Sequence, residues 1–191
     1  MLLLAGLGNI GPEYARHRHN VGFMAIDRIH AKYGFGPFRR RFHAMTAEGE
    51  LAAVKTLLLK PTTYMNESGR AIGEAAQFFK LAPKEIVVIH DEIALNAGKL
   101  RVKKGGGTAG NKGIKSIDDH IGPEFRRVRI GVGHPGEKSE VASFVLHDFA
   151  KADQTWLDPL LDAIAEHAPL LAAGRDDQFM NKISLAAPNG L

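Results

Sequence analysis

The chain has 191 residues, 45% of them hydrophobic, with a formal net charge of +4 and no cysteine. This length supports one well-packed core, and we expect a single domain over residues 1–191. The lack of cysteine excludes disulfides and thiolate chemistry. Because no stretch approaches the ~20 apolar residues of a membrane span, and residues 1–7 lack the pattern of an export signal, we expect a soluble cytoplasmic protein with no membrane contact.

The first 60 residues predict a central strand, a helix and a hairpin, in that order. Residues 2–7 are continuously apolar and run into glycine, which is typical of a strand buried on both faces. Apolar residues at helical spacing predict a helix over 21–33. Two strands follow over 43–50 and 51–60, and we expect them to form a hairpin that turns near Gly49.

The rest of the chain continues this alternation of strands and helices. We predict helices over 67–80, 113–121, 155–173 and 177–183, and strands over 86–89, 99–104 and 126–133. The alternation favours an α/β fold, with a single-domain three-layer α/β/α arrangement around a twisted, mixed and mostly parallel sheet. His90, Asp91 and Glu92 then follow a buried strand at its carboxyl end, where open α/β sheets bind their ligands.

Positive charge is concentrated in residues 99–129, which hold nine basic and three acidic side chains. The basic residues are Lys99, Arg101, Lys103, Lys104, Lys112, Lys115, Arg126, Arg127 and Arg129. Such a basic stripe favours binding of a polyanion such as RNA, because neutralised phosphates release counterions. A solvated surface without a partner is the alternative that charge alone leaves open.

Two glycine-rich segments match nucleotide-binding motifs only in part. Residues 6–11 fit G-x-G-x-x-G after a strand, the pattern of a dinucleotide-binding loop. That pattern also needs an acidic residue about 20 positions further on, after a second strand, whereas Asp27 lies in the predicted helix. Residues 105–113, the glycine loop, lack the P-loop lysine because Asn111 stands in its place. The glycines of this loop and its flanking lysines favour close approach of the backbone to phosphate instead.

His19 and Asp91 form the catalytic pair that the predicted topology favours. A metal site is disfavoured, because the nine histidines include no His-x-x-x-His pair or other dedicated ligand spacing. His19 lies in the loop after the first strand and Asp91 follows a later strand, so we expect both at the same sheet edge. An imidazole acting as general base, with a carboxylate to orient it, suffices to activate water and supplies roughly 10² to 10⁴ in rate.

Seven motifs, in chain order and at compatible spacing, resemble those of the bacterial-type peptidyl-tRNA hydrolases over nearly the whole chain. They are residues 6–9, 11–14, 18–20 (Arg-His-Asn), 60–69 (Lys-Pro-Thr-Thr-Tyr-Met-Asn-x-Ser-Gly), 90–92 (His-Asp-Glu), the glycine loop and 129–136. The resemblance implies an α/β/α hydrolase without cofactor or metal, and we expect a monomer. It also implies peptidyl-tRNA as substrate, with cleavage of the ester that joins the peptidyl group to the terminal ribose.

The resemblance assigns roles to individual side chains. His19 corresponds to the base that activates water, Asp91 to the group that orients it, and Asn9 to the residue that recognises the blocked peptide backbone. The positions that contact substrate are Tyr14, Tyr64 and Asn66, and Asn66 is also grouped with the catalytic residues. An asparagine amide suits such roles because it both donates and accepts, and one placed donor stabilises a developing oxyanion by ~3 kcal/mol. Packing stays open as an alternative for the tyrosines, and helix capping for Asn66.

The sequence departs from the family pattern in the glycine loop. Asn111 and Lys112 replace the family's usual His-Asn pair, and Thr108 stands where histidine is common. The replaced asparagine normally helps to bind tRNA and to position the water, and lysine, with three donors and no acceptor, cannot copy it. We therefore expect the glycine loop to bind substrate differently from that of other family members. The residues expected to bind the tRNA acceptor end are Lys103, Lys104, Asn111, Lys112 and Arg129.

Two further functions stay open on the sequence. A family member with weakened catalysis would act as an RNA-binding module, although such a module would not need both His19 and Asp91. The altered glycine loop also permits hydrolysis of another acylated-RNA ester.

Overall fold

The computed structural model describes residues 1–187 and contains one seven-stranded sheet. Its strands are β1 (Leu2–Gly6), β2 (Arg39–Arg41), β3 (Ala44–Leu51), β4 (Val54–Pro61), β5 (Ile86–Glu92), β6 (Leu100–Lys104) and β7 (Arg126–Gly131). They lie in the order β2-β3-β4-β1-β5-β7-β6, and β3 and β6 run antiparallel to their neighbours. The contacts among β4, β1, β5 and β7 are parallel, and β2 runs in the same direction as β4, since both are antiparallel to β3. Five of the seven strands therefore run one way, and the predicted mixed and mostly parallel sheet is confirmed.

Helices cover both faces of this sheet. They are α1 (Val21–Lys32), α2 (Ser68–Phe78), α3 (Lys112–Ile121), α4 (Val141–Val145), α5 (Gln154–Ala172) and α6 (Asp176–Ala186). Side chains of α1, α5 and α6 share one core with Leu2 and Leu4, and side chains of α2 and α3 share the other with Leu3 and Ala5. Burial on both faces explains why β1 is continuously apolar. Within residues 1–187, no helix is long and apolar enough to cross a membrane.

Three details of the sequence prediction need correction. The hairpin of β3 and β4 turns at Ala52 and Ala53, whose φ values are 49° and 59°. Gly49 lies within β3, where glycine is needed because a Cβ would overlap the ring of Phe35. Strand β5 extends through Glu92, so the His-Asp-Glu motif ends the strand instead of following it. The short elements β2 and α4 were not predicted, because three to five residues carry too little periodicity.

The basic stripe is not one surface. Arg126 and Arg127 are only 8% and 2% exposed. Arg126 is paired with Asp176. Arg127 is paired with Asp118 at 2.9 Å and also donates to the backbone oxygen of Gly107 at 2.8 Å. These two arginines therefore stabilise the fold and hold the glycine loop, so the charge count of residues 99–129 overstates the cations available to a partner.

Close packing of α1 on β1 places the loop that precedes α1 beside β5. A Cβ on Gly6 would overlap the backbone oxygen of Gly22 in α1. We therefore expect Gly6→Ala to lower the free energy of unfolding by ~1 to 3 kcal/mol in chemical denaturation, since overpacking forces backbone shifts. Gly73→Ala in α2 is the control. Its Cβ would meet its nearest neighbour at 3.4 Å, and alanine favours a helix, so a loss as large as that of Gly6→Ala would contradict the packing argument.

Candidate active site

The site is built at the carboxyl edge of β1 and β5, which are neighbours in the sheet. His19 lies in a 3₁₀ turn (Arg18–Asn20) immediately before α1, and Asp91 is the next-to-last residue of β5. The Nδ1 atom of His19 lies 2.8 Å from Oδ2 of Asp91. A carboxylate only accepts, so Nδ1 of a neutral His19 donates and Nε2 carries the free lone pair. The expectation that these two residues meet at one sheet edge is confirmed.

Two opposing effects act on the pKa of His19. Burial lowers the pKa, because desolvation disfavours the charged imidazolium. The negative charge of Asp91 and its hydrogen bond raise the pKa, and together they outweigh burial, so the pKa of His19 lies above its ordinary value. The imidazole is therefore a stronger base than a free histidine, and it reaches its neutral form only at a pH above this raised pKa.

Arg18 fixes the turn that carries His19, and sequence reasoning missed it. Its guanidinium donates to the backbone oxygen of Phe144 at 3.1 Å and lies 4.1 Å from the centre of that ring. The backbone N–H of Arg18 also donates to the oxygen of His147. The turn is thus attached to α4 and to the residues after it. The only sequence signal was the Arg-His-Asn motif, since the partners lie more than 120 positions away.

Asn9 is held in place by a second residue that sequence reasoning missed, Asn20. The Asn20 amide accepts from the backbone N–H of Asn9 at 2.8 Å and donates to its backbone oxygen at 2.9 Å. The side-chain oxygen of Asn9 accepts from the backbone N–H of Met65 at 3.3 Å. Its side-chain orientation is therefore set by this contact, which leaves the Nδ2 donor without an acceptor among residues 1–187.

Tyr64 and Asn66 follow β4, and both are exposed at the same sheet edge. Tyr64 is 77% exposed, so packing does not account for it. Asn66 lies in a 3₁₀ turn, whereas α2 begins at Ser68 without a side-chain cap, so the capping alternative for Asn66 is wrong. Tyr14 is half-buried with its ring edge-on to His17, and packing stays open for it.

The residues of the glycine loop and of the basic stripe lie at different distances from Asp91, and among them only Asn111 donates a hydrogen bond to its carboxylate. Asn111 caps α3 and reaches Asp91, with its Nδ2 3.3 Å from Oδ1 of that carboxylate. Lys112 is exposed as the first residue of α3. Lys103 and Lys104 are exposed on β6, two strands from β5, and Arg129 on β7 lies between them and the site, 3.6 Å from Glu92. Among residues 1–187, no three His, Asp or Glu side chains converge as metal ligands.

We expect Asp91→Asn to move the pKa of His19 from above its ordinary value to below it. The substitution removes both the charge and the charged hydrogen-bond acceptor that raise the pKa, so that burial acts alone. Titration of the His19 ring by NMR measures the change, and the exposed His43 provides the control. An unchanged or higher pKa in Asp91→Asn would show that Asp91 does not set the basicity of His19.

Comparisons with known proteins agree with this architecture. A family model described as peptidyl-tRNA hydrolase matches residues 3–189. Peptidyl-tRNA hydrolases of Rhodospirillum centenum and Bradyrhizobium diazoefficiens are 55% and 57% identical, over 97% of this chain and 82% and 92% of theirs. The crystal structure of peptidyl-tRNA hydrolase from Acinetobacter baumannii superposes with a TM-score of 0.92 at 39% identity, covering 98% of this chain and 96% of that one. The chain therefore belongs to the peptidyl-tRNA hydrolase family.

Proposed function

We propose that this protein hydrolyses the ester bond between a peptidyl, or N-blocked aminoacyl, group and the terminal ribose of tRNA, with His19 as the general base. The observation that carries the proposal is the 2.8 Å contact between His19 Nδ1 and Asp91. It fixes the imidazole tautomer, leaves Nε2 to accept a proton, and raises the pKa of the ring.

The reaction needs one proton to travel through His19. Nε2 takes a proton from water as the water oxygen attacks the ester carbonyl carbon and forms a tetrahedral oxyanion. When the oxyanion collapses, the bond to the ribose oxygen breaks and the imidazolium returns its proton to that oxygen. The products are the peptide carboxylic acid and tRNA with a free hydroxyl. The Asp91 carboxylate accepts the hydrogen bond from Nδ1 throughout and stabilises the imidazolium that forms between the two steps.

Asparagine amides and aromatic rings around this pair would bind the acyl group and the end of the tRNA. Because Met65 occupies the side-chain oxygen of Asn9, the Nδ2 of Asn9 is the group that donates to a peptide carbonyl or to the oxyanion. Asn66 is exposed nearby and offers both a donor and an acceptor. Tyr64 and Tyr14 supply rings on which an unpaired acceptor-end base stacks.

The acceptor arm of tRNA would lie across the β6 and β7 side of the site. Lys112 is exposed there and Arg129 is partly exposed beside Glu92, while Lys103 and Lys104 are exposed farther along β6, opposite Arg127 and Arg126 of β7. Their positive charge suits the phosphates of an RNA helix, whereas Arg126 and Arg127 are used within the fold. We place the reaction in the cytoplasm, where peptidyl-tRNA forms, and in a monomer, because one chain supplies every residue of the site.

Lys112 favours a second candidate, hydrolysis of a different acylated-RNA ester by the same pair. A lysine ammonium binds a phosphate but cannot accept a hydrogen bond, so the set of ribose and base contacts differs from that of an amide. The RNA-binding module without catalysis is less well supported, because the His19 and Asp91 pair is formed.

We expect His19→Ala to lower kcat for release of an N-acetylated amino acid from tRNA by roughly 10²- to 10⁴-fold, the usual contribution of a general base. His167→Ala, at a histidine on α5 outside the site, serves as control and should keep the wild-type rate. Equal rates for His19→Ala and wild type would remove His19 from the mechanism. No release by the wild type would instead favour the RNA-binding module.

We expect Lys112→Asn to raise kcat on peptidyl-tRNA about fivefold, because an amide both accepts and donates where lysine only donates. Steady-state hydrolysis of N-acetylaminoacyl-tRNA measures the effect. Lys115→Asn removes the same charge one turn along α3, where Lys115 pairs with Asp119, and should leave kcat unchanged. Unchanged or lower turnover of Lys112→Asn would contradict the hypothesis that lysine at this position binds substrate less productively than asparagine.

A further inference from the structure

We infer that Asn111 is a positioning residue that holds Asp91, and through it His19, against the first turn of α3. This inference rests on the proposed function and deepens it. It gives Asn111 a role other than the expected contact with tRNA, because each polar atom of the Asn111 side chain makes a hydrogen bond within the protein.

A continuous chain of hydrogen bonds runs from His19 to α3. His19 Nδ1 donates to Oδ2 of Asp91 at 2.8 Å, and Asn111 Nδ2 donates to the other oxygen, Oδ1, at 3.3 Å. The Asn111 side-chain oxygen accepts from the backbone N–H of Ile114 at 3.0 Å, which makes Asn111 the N-cap of α3. The amide orientation is thus set by the helix, since only the nitrogen remains to face the carboxylate.

Asp91 needs this second partner because it is almost fully buried. Its side chain is 3% exposed, and a buried carboxylate oxygen without a donor is costly. A carboxylate held on both oxygens cannot rotate about its last side-chain bond without breaking one contact. Asn111 therefore keeps Oδ2 in line with the His19 ring.

The first turn of α3 has little freedom to move away from Asp91. A Cβ on Gly113 would lie 2.7 Å from the sulfur of Met65, 2.8 Å from Leu7 and 3.2 Å from the Asn111 side-chain oxygen. Only glycine permits this approach. Because Met65 also holds the side chain of Asn9, one helix terminus contacts both halves of the site.

Adjacent residues of the glycine loop consequently do different work. Asn111 points inward, so its loss should lower turnover, whereas the Lys112 ammonium is exposed, so its loss should weaken substrate binding. The gain in kcat expected of Lys112→Asn comes from the amide that it adds. Loss of the Asn111 amide should therefore lower kcat, whereas loss of the Lys112 ammonium should mainly raise KM. A residue that only stabilises the fold, or one that contacts RNA, would not lower kcat while KM stays constant.

The test compares Asn111→Asp and Asn111→Ser with Lys112→Ala. Aspartate and serine both cap helices as well as asparagine does, so both variants keep the N-cap of α3, and any fall in the thermal midpoint reports the lost donor to Asp91. Neither offers the amide N–H to Asp91: the aspartate oxygen repels it and the serine hydroxyl is too short. We expect kcat for N-acetylaminoacyl-tRNA to fall about tenfold or more with KM within twofold, whereas Lys112→Ala should act mainly on KM.

A second readout needs no substrate. The proton on Nδ1 of His19 should give a downfield NMR signal in wild type and in Lys112→Ala, and this signal should shift or broaden in both Asn111 variants. A kcat within twofold of wild type in both Asn111 variants, a loss confined to KM, or an unchanged His19 signal would overturn the inference. If wild type releases no amino acid, the proposed function fails, while the NMR comparison still decides the role of Asn111.

Discussion

The hydrogen bond between His19 and Asp91 is the interaction on which the rest of the site depends. It places a carboxylate that is almost fully buried beside a ring that is mostly buried, and burial alone would lower the pKa of that ring. The hydrogen bond between them replaces part of the hydration that each group loses on burial, and Asn111 supplies the second donor to Asp91. The pKa of His19 lies above its ordinary value for the same reason, so one contact determines the tautomer, the orientation and the basicity of the imidazole.

The fold brings this pair together through close backbone contacts. Gly6 and Gly22 let α1 lie directly on β1, which places the turn before α1 against β5. On the other face, Gly113 lets the first turn of α3 approach Leu7 and Met65. Side chains at these three positions would separate the layers. The glycines thus set the distance between His19 on one face and Asn111 on the other, with Asp91 between them.

Sequence patterns predicted the fold class and the pair, because both depend on local signals. The apolar run of β1 and the helical spacing of α1 are such signals, and so is a motif at the end of a strand. The hairpin turn was misplaced because Ala52 and Ala53 adopt left-handed backbone conformations that glycine usually marks. Arg127 was misread as a surface cation because its partner, Asp118, lies on another element, and charge counts do not register pairing.

The role of Asn111 shows why a departure from a family pattern is not by itself a loss. At position 111 the chain has an amide where histidine is usual, and this amide reaches Asp91 while capping α3. An amide does not titrate, so the donor that faces Asp91 has the same charge at every pH. At position 112 lysine cannot take over the hydrogen bonds of the usual asparagine, because an exposed ammonium cannot accept a hydrogen bond. The two neighbouring changes therefore differ in kind, because the side chain at position 111 faces Asp91 within the protein and the side chain at position 112 faces solvent.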